Sequence, residues 1–598
     1  MSDFHAPVKD MLFTLTDMVG WQDVNQTEAH ADLSEDLMHA VLTEAGKFMD
    51  GQVAPFSRQA DLKGVGFDNG KVSYPQEWID AWQGLGEGGW LGLAMPAEYD
   101  GQGMPQVAYC AVHEMMCASC LSFAQGPGLT VGAVEAIEAH ATDELKAMYI
   151  PKMATGQWAG TMNLTEPNAG SDVGALRSKA IPQADGSYKI IGNKIFITCG
   201  DHDYAENIVH LVLARVEGAP EGSKGISLFI VPKFIPNADG SLGEANDLRC
   251  TGLEEKLGLH SSSNCAMSYG DNGGATGWLV GEENKGLACM FTMMNLVRLH
   301  VGLQGPGIAE RAYQKALAYA ADRVQGVPIG AQTREAQAII NHADVRRMLM
   351  DVKVKTAAAR AICFMNAKAI DLSLALEKGS EQQQYWSAMA DLLTPMSKAY
   401  GTDVGVESTN DAVQVFGGMG FIEETGIAQL YRDARIMPIY EGTNGIQSWD
   451  LANRKLKMNG GALWRAVLGD IQQFGTELSG DLAASGEYLA AAATTCAAVG
   501  EWFIQRHAEN PRDVAAGSVA FNRMMSETVG GWLLLRGAVS AQAKIDAGDS
   551  DAEYLQSRIV LAQYFAQSVL SAVPANAAKA QAGDALLFAT SDAALASQ

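Results

Sequence analysis

Basic side chains are scarce in this chain. Its 598 residues include 43 lysines and arginines against 69 aspartates and glutamates, a formal net charge of -26 at pH 7. A field of that sign repels polyanions, so the balance argues against nucleic acid as a partner. An acidic excess is also typical of a surface that only keeps a protein soluble.

Cysteines are few and scattered. There are nine, and an odd number argues against a secreted disulfide framework. Cys117 and Cys120 have CxxC spacing one turn after His113, but no second pair follows at metal-ligand spacing. We therefore predict buried thiols at these positions and no metal site.

Targeting and membrane segments are not evident either. The start MSDFHAPVKDMLFTL has no basic stretch followed by a long apolar core, so it does not resemble a signal peptide. No apolar run appears long enough to span a bilayer. We expect a cytoplasmic protein without a membrane span.

The chain is long enough for three or four domains, and 47% hydrophobic residues suffice to build their cores. The predicted class is α+β, mainly α. We expect an N-terminal helical domain with a short extension (1–160), a small antiparallel β domain (161–280), a four-helix bundle (281–462) and an extra helical domain (463–598).

Periodicity underlies these boundaries. Ser34–Val53 has helical spacing of apolar residues, and long amphipathic stretches at 286–325, 335–378, 382–416 and 442–458 predict an antiparallel bundle. Strands are predicted at Ser187–Thr198, Ile208–Val216 and Ile226–Val231, the first with a glycine turn inside it, like a hairpin.

Four motifs carry the chemistry. Thr165–Asp172 (TEPNAGSD) is a turn-forming run that leaves hydroxyl and N–H groups facing outward. Lys194–Thr198 (KIFIT) places an aromatic residue on a strand. Arg298 and Arg323 have planar guanidinium forks suited to phosphate. Asp411–Gly420 contains the double glycine Gly417-Gly418, which permits close approach of a ligand, and Tyr440–Thr443 (YEGT) follows.

In order and spacing these motifs resemble the acyl-CoA dehydrogenase family over roughly residues 75–458. The resemblance implies FAD as cofactor, an acyl-CoA thioester as substrate, electron-transfer flavoprotein as electron acceptor and an oligomer, at least a homodimer. Shorter relatives are usually tetramers, and we expect the C-terminal extension of this chain to stop the assembly at a homodimer. It implies that FAD is bound by Thr165, Gly170, Ser171, Phe196, Thr198 and Thr443, and by Arg323, Gln414, Gly417 and Gly418 of a neighbouring subunit. The implied substrate-binding residues are Ser171, Arg298, Tyr440 and Gly442.

Two positions depart from the family pattern. Phe196 stands where many relatives have tryptophan, which keeps an aromatic face but removes an N–H donor. After Arg323 the chain reads Val324-Gln325-Gly326, and a glutamine usual further on is replaced near Ile339. We expect the contacts to the neighbouring flavin to differ there.

Glu441 matches the catalytic glutamate of the family. The α-proton of a thioester is weakly acidic, and a carboxylate in a dry pocket is a stronger base because desolvation raises its pKa. Some relatives carry the base just before the arginine equivalent to Arg298, where this chain has Val297. Both positions therefore point to Glu441, and the product is expected to be a trans-2-enoyl-CoA.

The last 130 or so residues lie outside the common core. Their apolar helical stretches need a partner surface, and the bundle of the same chain is the nearest candidate. Large relatives with such extensions include long-chain enzymes that bind membranes and soluble bacterial 3-methylthiopropanoyl-CoA dehydrogenases. Because this extension has few basic residues, we expect the soluble type and a short or medium acyl chain. The alternatives are a long-chain dehydrogenase, an acyl-CoA oxidase and a DNA-binding homologue.

Overall fold

A computed structural model describes residues 4–596, which are mainly helical. The α-helices are α1 (Val8–Phe13), α2 (Gln22–Asn25), α3 (Glu35–Phe48), α4 (Ser57–Lys63), α5 (Gln76–Glu87), α6 (Gln106–Ser119), α7 (Leu121–His140), α8 (Asp143–Ala154), α9 (Gly286–Asp322), α10 (Ala343–Ala375), α11 (Glu381–Phe416), α12 (Ile427–Ala434), α13 (Asn444–Asn453), α14 (Ala462–Glu477), α15 (Ala483–Glu509), α16 (Pro511–Asp546), α17 (Ala552–Ser568), α18 (Val573–Ala580) and α19 (Asp592–Leu595).

The strands lie between α4 and α9. They are β1 (Gly66–Asp68), β2 (Lys71–Ser73), β3 (Trp158–Asn163), β4 (Lys179–Pro182), β5 (Tyr188–Thr198), β6 (Asn207–Val216), β7 (Ile226–Pro232), β8 (Phe234–Pro236), β9 (Leu242–Ala245), β10 (Leu248–Leu253), β11 (Asn264–Tyr269) and β12 (Ala275–Val280). The predicted sequence of helical, β, helical and extra helical regions is confirmed at this level.

The chain forms two compact units. The first comprises the N-terminus up to Ala6 together with Val41–His300, and it contains the sheet. The second comprises Pro7–Ala40 and everything from Val301 onward. The expected N-terminal extension thus belongs with the C-terminal half.

The main sheet has the order β10-β11-β5-β12-β7-β6-β3, with β4 beside β5 and β6. Most neighbours are antiparallel, but β6 runs parallel to both β3 and β4, which differs from the expected antiparallel sheet. Parallel pairing is possible because long connections separate these strands in the chain.

The glycine in the KIIGNKIF segment does not form a turn. β5 is one continuous strand, so the hairpin predicted within Ser187–Thr198 is wrong. A Cβ at Gly192 would lie 2.8 Å from the Cα of Ser178, so glycine permits a close approach of two backbones. At the same residue β5 changes its neighbours from β4 and β12 to β11.

In the second unit α10 and α11 pack along their length, and α11 crosses α9 at glycines. Side chains at Gly302 or Gly305 would clash with the backbone of α11. The predicted helix 286–325 ends at Asp322 and the predicted helix 335–378 begins only at Ala343, because residues 323–342 form a loop in which Val324 and Ala338 pair in a β-bridge. The predicted fourth helix is shortened to α13.

The C-terminal helices pack on this bundle. α16 lies against α10, α11 and α13, and Asn522 donates a hydrogen bond to the Pro395 carbonyl at 3.3 Å. Arg523 forms ion pairs with Glu407 of α11 (2.7 Å) and with Glu527. The prediction that the extension covers a bundle surface of its own chain agrees with this packing.

The N-terminal segment fastens the same helices. Asp10 forms ion pairs with Lys353 of α10 at 2.7 Å and with Arg558 of α17 at 3.0 Å. Burial alone would raise the pKa of the Asp10 carboxyl, but the two cations outweigh it and hold the pKa well below its usual range. Asp17 pairs with Lys544 of α16 at 2.6 Å.

Helix α9 corrects the expectation about apolar runs. By length and composition it could cross a membrane, but 67% of its most apolar stretch is buried inside the protein. Buried core helices have the same composition, so the observation is weak evidence for a span.

Candidate active site

The TEPNAGSD run is a tight turn in the first unit. Glu166 and Ala169 exchange N–H to carbonyl bonds of 3.0 Å in both directions, with Pro167 and Asn168 at the tip. Thr165 is half-buried, and its carbonyl accepts a 2.9 Å bond from the Ile195 N–H of β5. Gly170 and Ser171 are exposed. The turn and the KIFIT strand are therefore neighbours.

A buried ion pair that sequence reasoning missed holds this turn. The Lys194 ammonium donates to Glu166 Oε1 at 2.9 Å and to the Leu164 carbonyl at 3.0 Å. The Glu166 carboxylate also accepts the N–H groups of Arg177 (2.6 Å) and Ser178 (3.1 Å). The sign in the sequence is that Lys194 lies four residues after Ile190 and so faces the same, buried side of β5.

The surroundings of this ion pair shift the pKa values of both Lys194 and Glu166. Burial lowers the pKa of Lys194 to about 8, although Glu166 opposes the change. Burial acts to raise the pKa of Glu166, but Lys194 and the hydrogen bonds outweigh it, so that pKa is lowered. The pair is thus a fixed link between turn and strand.

We predict that Lys194→Met destabilises this unit by ~3–5 kcal/mol, because it leaves a buried carboxylate without its cation. Because the family resemblance implies that Thr165 and Ser171 bind FAD, we also expect FAD to dissociate faster when their turn loosens. Thermal melting and flavin fluorescence measure the two effects. Lys179→Met, at an exposed lysine of β4, is the control. Equal melting temperatures for both variants would contradict the prediction.

Phe196 is presented to solvent. Its φ is +59°, in the left-handed region, and its side chain is 58% exposed although it belongs to β5. A phenylalanine in that conformation is uncommon and often marks a functional constraint. Thr198 is half-buried, and its carbonyl accepts a hydrogen bond from Thr161 at 2.7 Å.

Arg298 also belongs to the first unit. It is half-buried on α9, two residues before the unit ends at His300. Its predicted neighbour in function, Arg323, is exposed in the second unit, one residue after α9 ends.

In the second unit the double glycine ends α11. Gly417 has φ +58° and ψ -138°, a conformation that glycine adopts readily. Gln414, Gly417 and Gly418 are exposed, and a Cβ at either glycine would meet no atom within 4 Å. Tyr319 stacks on Phe416 at 4.2 Å, so the end of α9 that leads to Arg323 lies beside this end of α11.

The loop after Arg323 forms a small hairpin. Val324 and Ala338 form a β-bridge, and the Gln325 N–H donates to the Gln337 carbonyl at 3.0 Å. Ile339 donates to the Arg323 carbonyl at 2.8 Å, so this segment is ordered around the arginine.

Glu441 lies between α12 and α13 in the second unit. It is half-buried with φ +55°, and Gly442 follows with φ +83°. Two consecutive left-handed residues turn the chain sharply before α13. Thr443 caps that helix by accepting the Ile446 N–H at 3.2 Å, and the Tyr440 hydroxyl donates to Gln304 of α9.

The residues present fit a flavin. An exposed aromatic face at Phe196, next to the Thr165 turn, suits a planar ring system. The open glycines at the end of α11 and the exposed guanidinium of Arg323 suit phosphate groups. A metal centre is not indicated, because residues 4–596 contain no cluster of three or more His, Cys, Asp or Glu able to hold an ion. The thiols of Cys117 and Cys120 are buried, as predicted, and the other seven cysteines are buried as well.

Family models match almost the whole chain. "Acyl-CoA dehydrogenase, N-terminal domain" matches residues 36–157, the middle domain of that family matches 161–271 and its C-terminal domain matches 284–456. "Acetyl-CoA dehydrogenase C-terminal like" matches residues 467–591.

Individual proteins are similar over similar lengths. A 3-methylmercaptopropionyl-CoA dehydrogenase of Ruegeria pomeroyi is 43% identical, covering 98% of this chain and 100% of the relative. A butyryl-CoA dehydrogenase of Syntrophomonas wolfei is 35% identical, covering 95% of each. The solved acyl-CoA dehydrogenase of Bacillus anthracis complexed with FAD has a TM-score of 0.75 at 22% identity, covering 98% of this chain and 93% of that one.

Proposed function

Because the chain belongs to the acyl-CoA dehydrogenase family, we propose that its substrate is a short or medium acyl-CoA thioester such as 3-methylthiopropanoyl-CoA. The reaction class is FAD-dependent α,β-dehydrogenation of acyl-CoA. The observation that carries the narrower proposal is the 43% identity to the 3-methylmercaptopropionyl-CoA dehydrogenase across both full lengths.

Glu441 removes the α-proton. Its carboxylate forms an O–H bond as the C–H bond breaks, and the electron pair stays on the thioester as an enolate. The Glu441 N–H helps to hold the enolate oxygen, an arrangement supported by the sharp turn at Glu441 and Gly442. When bound, FAD would supply the two-electron acceptor to which the β-hydrogen leaves as hydride.

The remaining site residues bind and orient. Arg298 and Ser171 contact the coenzyme A part, and Tyr440 and Gly442 contact the thioester end. Thr165, Gly170, Phe196, Thr198 and Thr443 hold the flavin. The Tyr440 hydroxyl donates a hydrogen bond to Gln304, and this contact keeps Tyr440 in place beside Glu441.

A panel of acyl-CoA thioesters tests the substrate class. Flavin bleaching and reduction of an artificial acceptor should be fastest for short and medium chains, the 3-methylthio thioester included. Activity that rises steadily through long chains and is absent for short ones would contradict the proposal. Rapid peroxide formation without an acceptor would instead indicate an oxidase.

We also propose electron-transfer flavoprotein as the physiological acceptor and the cytoplasm as the location. Reduction of this partner should outpace reduction of oxygen. A gel-shift assay at moderate salt should show no DNA binding, because the net charge of -26 opposes it.

We predict that flavin is retained only in an oligomer, at least a homodimer. Arg323, Gln414 and Gly418 are all exposed, as expected of residues that reach a neighbour's cofactor. Dilution should therefore release FAD in step with dissociation, measured by sedimentation at the flavin wavelength. A monomer that sediments with bound FAD and full activity would refute this.

A further inference from the structure

The short loop that carries Glu441 is attached to α11 by polar groups that no motif pointed to. Lys398 is buried in α11 and donates to the Met437 carbonyl at 2.9 Å and to Asn444 Oδ1 at 2.9 Å. These two acceptors flank the loop, four residues before Glu441 and three residues after it. One ammonium group thus holds both ends.

Asn444 completes the attachment from the other side. Its Nδ2 donates to Asp403 Oδ1 at 2.7 Å, to Thr402 Oγ1 at 3.0 Å and to the Ala399 carbonyl at 3.2 Å. Its own N–H donates to the Pro438 carbonyl at 3.0 Å, which closes the loop on itself. An asparagine at the first position of α13 therefore serves as a bracket between the loop and α11.

Burying the Lys398 ammonium group costs free energy of folding. A fully buried lysine loses its hydration, and here its hydrogen-bonding partners include a neutral backbone carbonyl and an amide oxygen. The loop it holds contains Glu441 at φ +55°, a left-handed conformation that is strained for a residue other than glycine and persists only where the surroundings enforce it.

We infer that Lys398 and Asn444 are positioning residues that fix the backbone carrying Glu441 for removal of the α-proton. The inference rests on the proposed role of Glu441 as the base. Neither residue is proposed to touch the thioester. They determine the positions of the Glu441 carboxylate and N–H. A displacement of a catalytic group by about 1 Å can lower the rate of proton removal on the order of 100-fold.

The test uses the holoenzyme and 3,3-dimethylbutanoyl-CoA, whose β carbon bears no hydrogen. Exchange of its α-hydrogens for deuterium, followed by NMR, reports proton removal alone. Lys398→Met and Asn444→Ala should each lower this exchange roughly 10- to 100-fold. FAD content and thioester affinity should stay within about 2-fold of the wild type. Because both residues hold the same loop, the exchange rate of the double variant should be only a little below that of the slower single variant.

Lys368→Met is the matched control. Lys368 is also buried, and it donates to the Val19 carbonyl and to Asp23, away from the Glu441 loop. If this variant loses exchange as strongly as Lys398→Met, the effect is general destabilisation and the inference is wrong. If Asn444→Ala exchanges α-hydrogens at the wild-type rate, the inference is also wrong. This second variant decides the test if Lys398→Met does not fold.

The variant Glu441→Gln distinguishes a failure of the proposed function from a failure of the positioning role. If this variant exchanges α-hydrogens like the wild type, Glu441 is not the base and the proposed function fails together with the inference. If Glu441→Gln is inactive while Lys398→Met and Asn444→Ala exchange normally, the base is correct and only the positioning role is refuted.

Discussion

Replacing Glu441 by glutamine is expected to lower turnover by ~10²–10⁴-fold or more, the range for loss of a general base. The exchange keeps the size and the hydrogen-bonding shape of the side chain but removes its basicity. FAD content and acyl-CoA binding should remain nearly unchanged, because the loop and its attachment to α11 persist. Stopped-flow bleaching of the flavin, together with binding titrations, measures both.

Glu424→Gln is the control for this variant. Glu424 is an exposed acid in the same unit, on the turn that precedes α12, and its replacement should leave turnover unchanged. Unchanged turnover in Glu441→Gln would move the base to another residue. Loss of FAD in that variant would instead make Glu441 a structural residue.

Much of the fold could be predicted because the periodic signals are long. Helix α11 and strands β6 and β7 follow from the apolar pattern alone to within about one residue at each end, whereas α10 begins at Ala343 and not at the predicted residue 335. Gly192 was misread because a glycine within a strand can mark either a turn or a close backbone contact, and only the position of Ser178 decides between them.

The chemistry of the site was predictable only in part. Motifs point to Glu441 and to the Thr165–Asp172 turn, because the groups that we propose to act on ligands lie within short runs of sequence. The residues that hold them in place, Lys194 beneath the turn and Lys398 beneath the loop, act across the fold. Lys398 and Asn444 are 46 positions apart in sequence, and nothing in local spacing indicates such a contact.

The packing of the N-terminal segment could not be predicted either. Asp10 meets Lys353 and Arg558, which are separated from it by 343 and 548 positions. An acidic residue near the start of a chain usually indicates a solvated surface. Here the two cations come from α10 and α17, so the segment joins the bundle to the C-terminal helices.

A chain ended after residue 462 is expected to lose cooperative melting near the wild-type temperature and to lose activity. Without α16, the faces of α10 and α11 that it covers become exposed. Gly530 of α16 approaches α10 so closely that a Cβ there would lie 2.9 Å from the Ala358 Cβ. Exposing each buried aliphatic or aromatic side chain of such a contact costs ~1.5–3 kcal/mol.

The truncation also removes the partners of the N-terminal segment. Asp10 would lose Arg558, and Asp17 would lose both Lys544 and the Ser540 hydroxyl. A side chain at Gly537 would approach Met18 and Phe13, so those apolar residues would lose their cover too. The segment should then detach from α10, which compounds the loss of stability.

A chain ended after residue 590 is the control, because of the residues that the structure describes it removes only 591–596, which are exposed and include α19. It should melt and turn over like the full chain. Differential scanning calorimetry and activity on the best thioester distinguish the two truncations. If the chain that ends at residue 462 is stable and fully active, the prediction is wrong. The faces of α10 and α11 that α16 covers would then tolerate exposure to water without loss of stability, and the C-terminal helices would be dispensable.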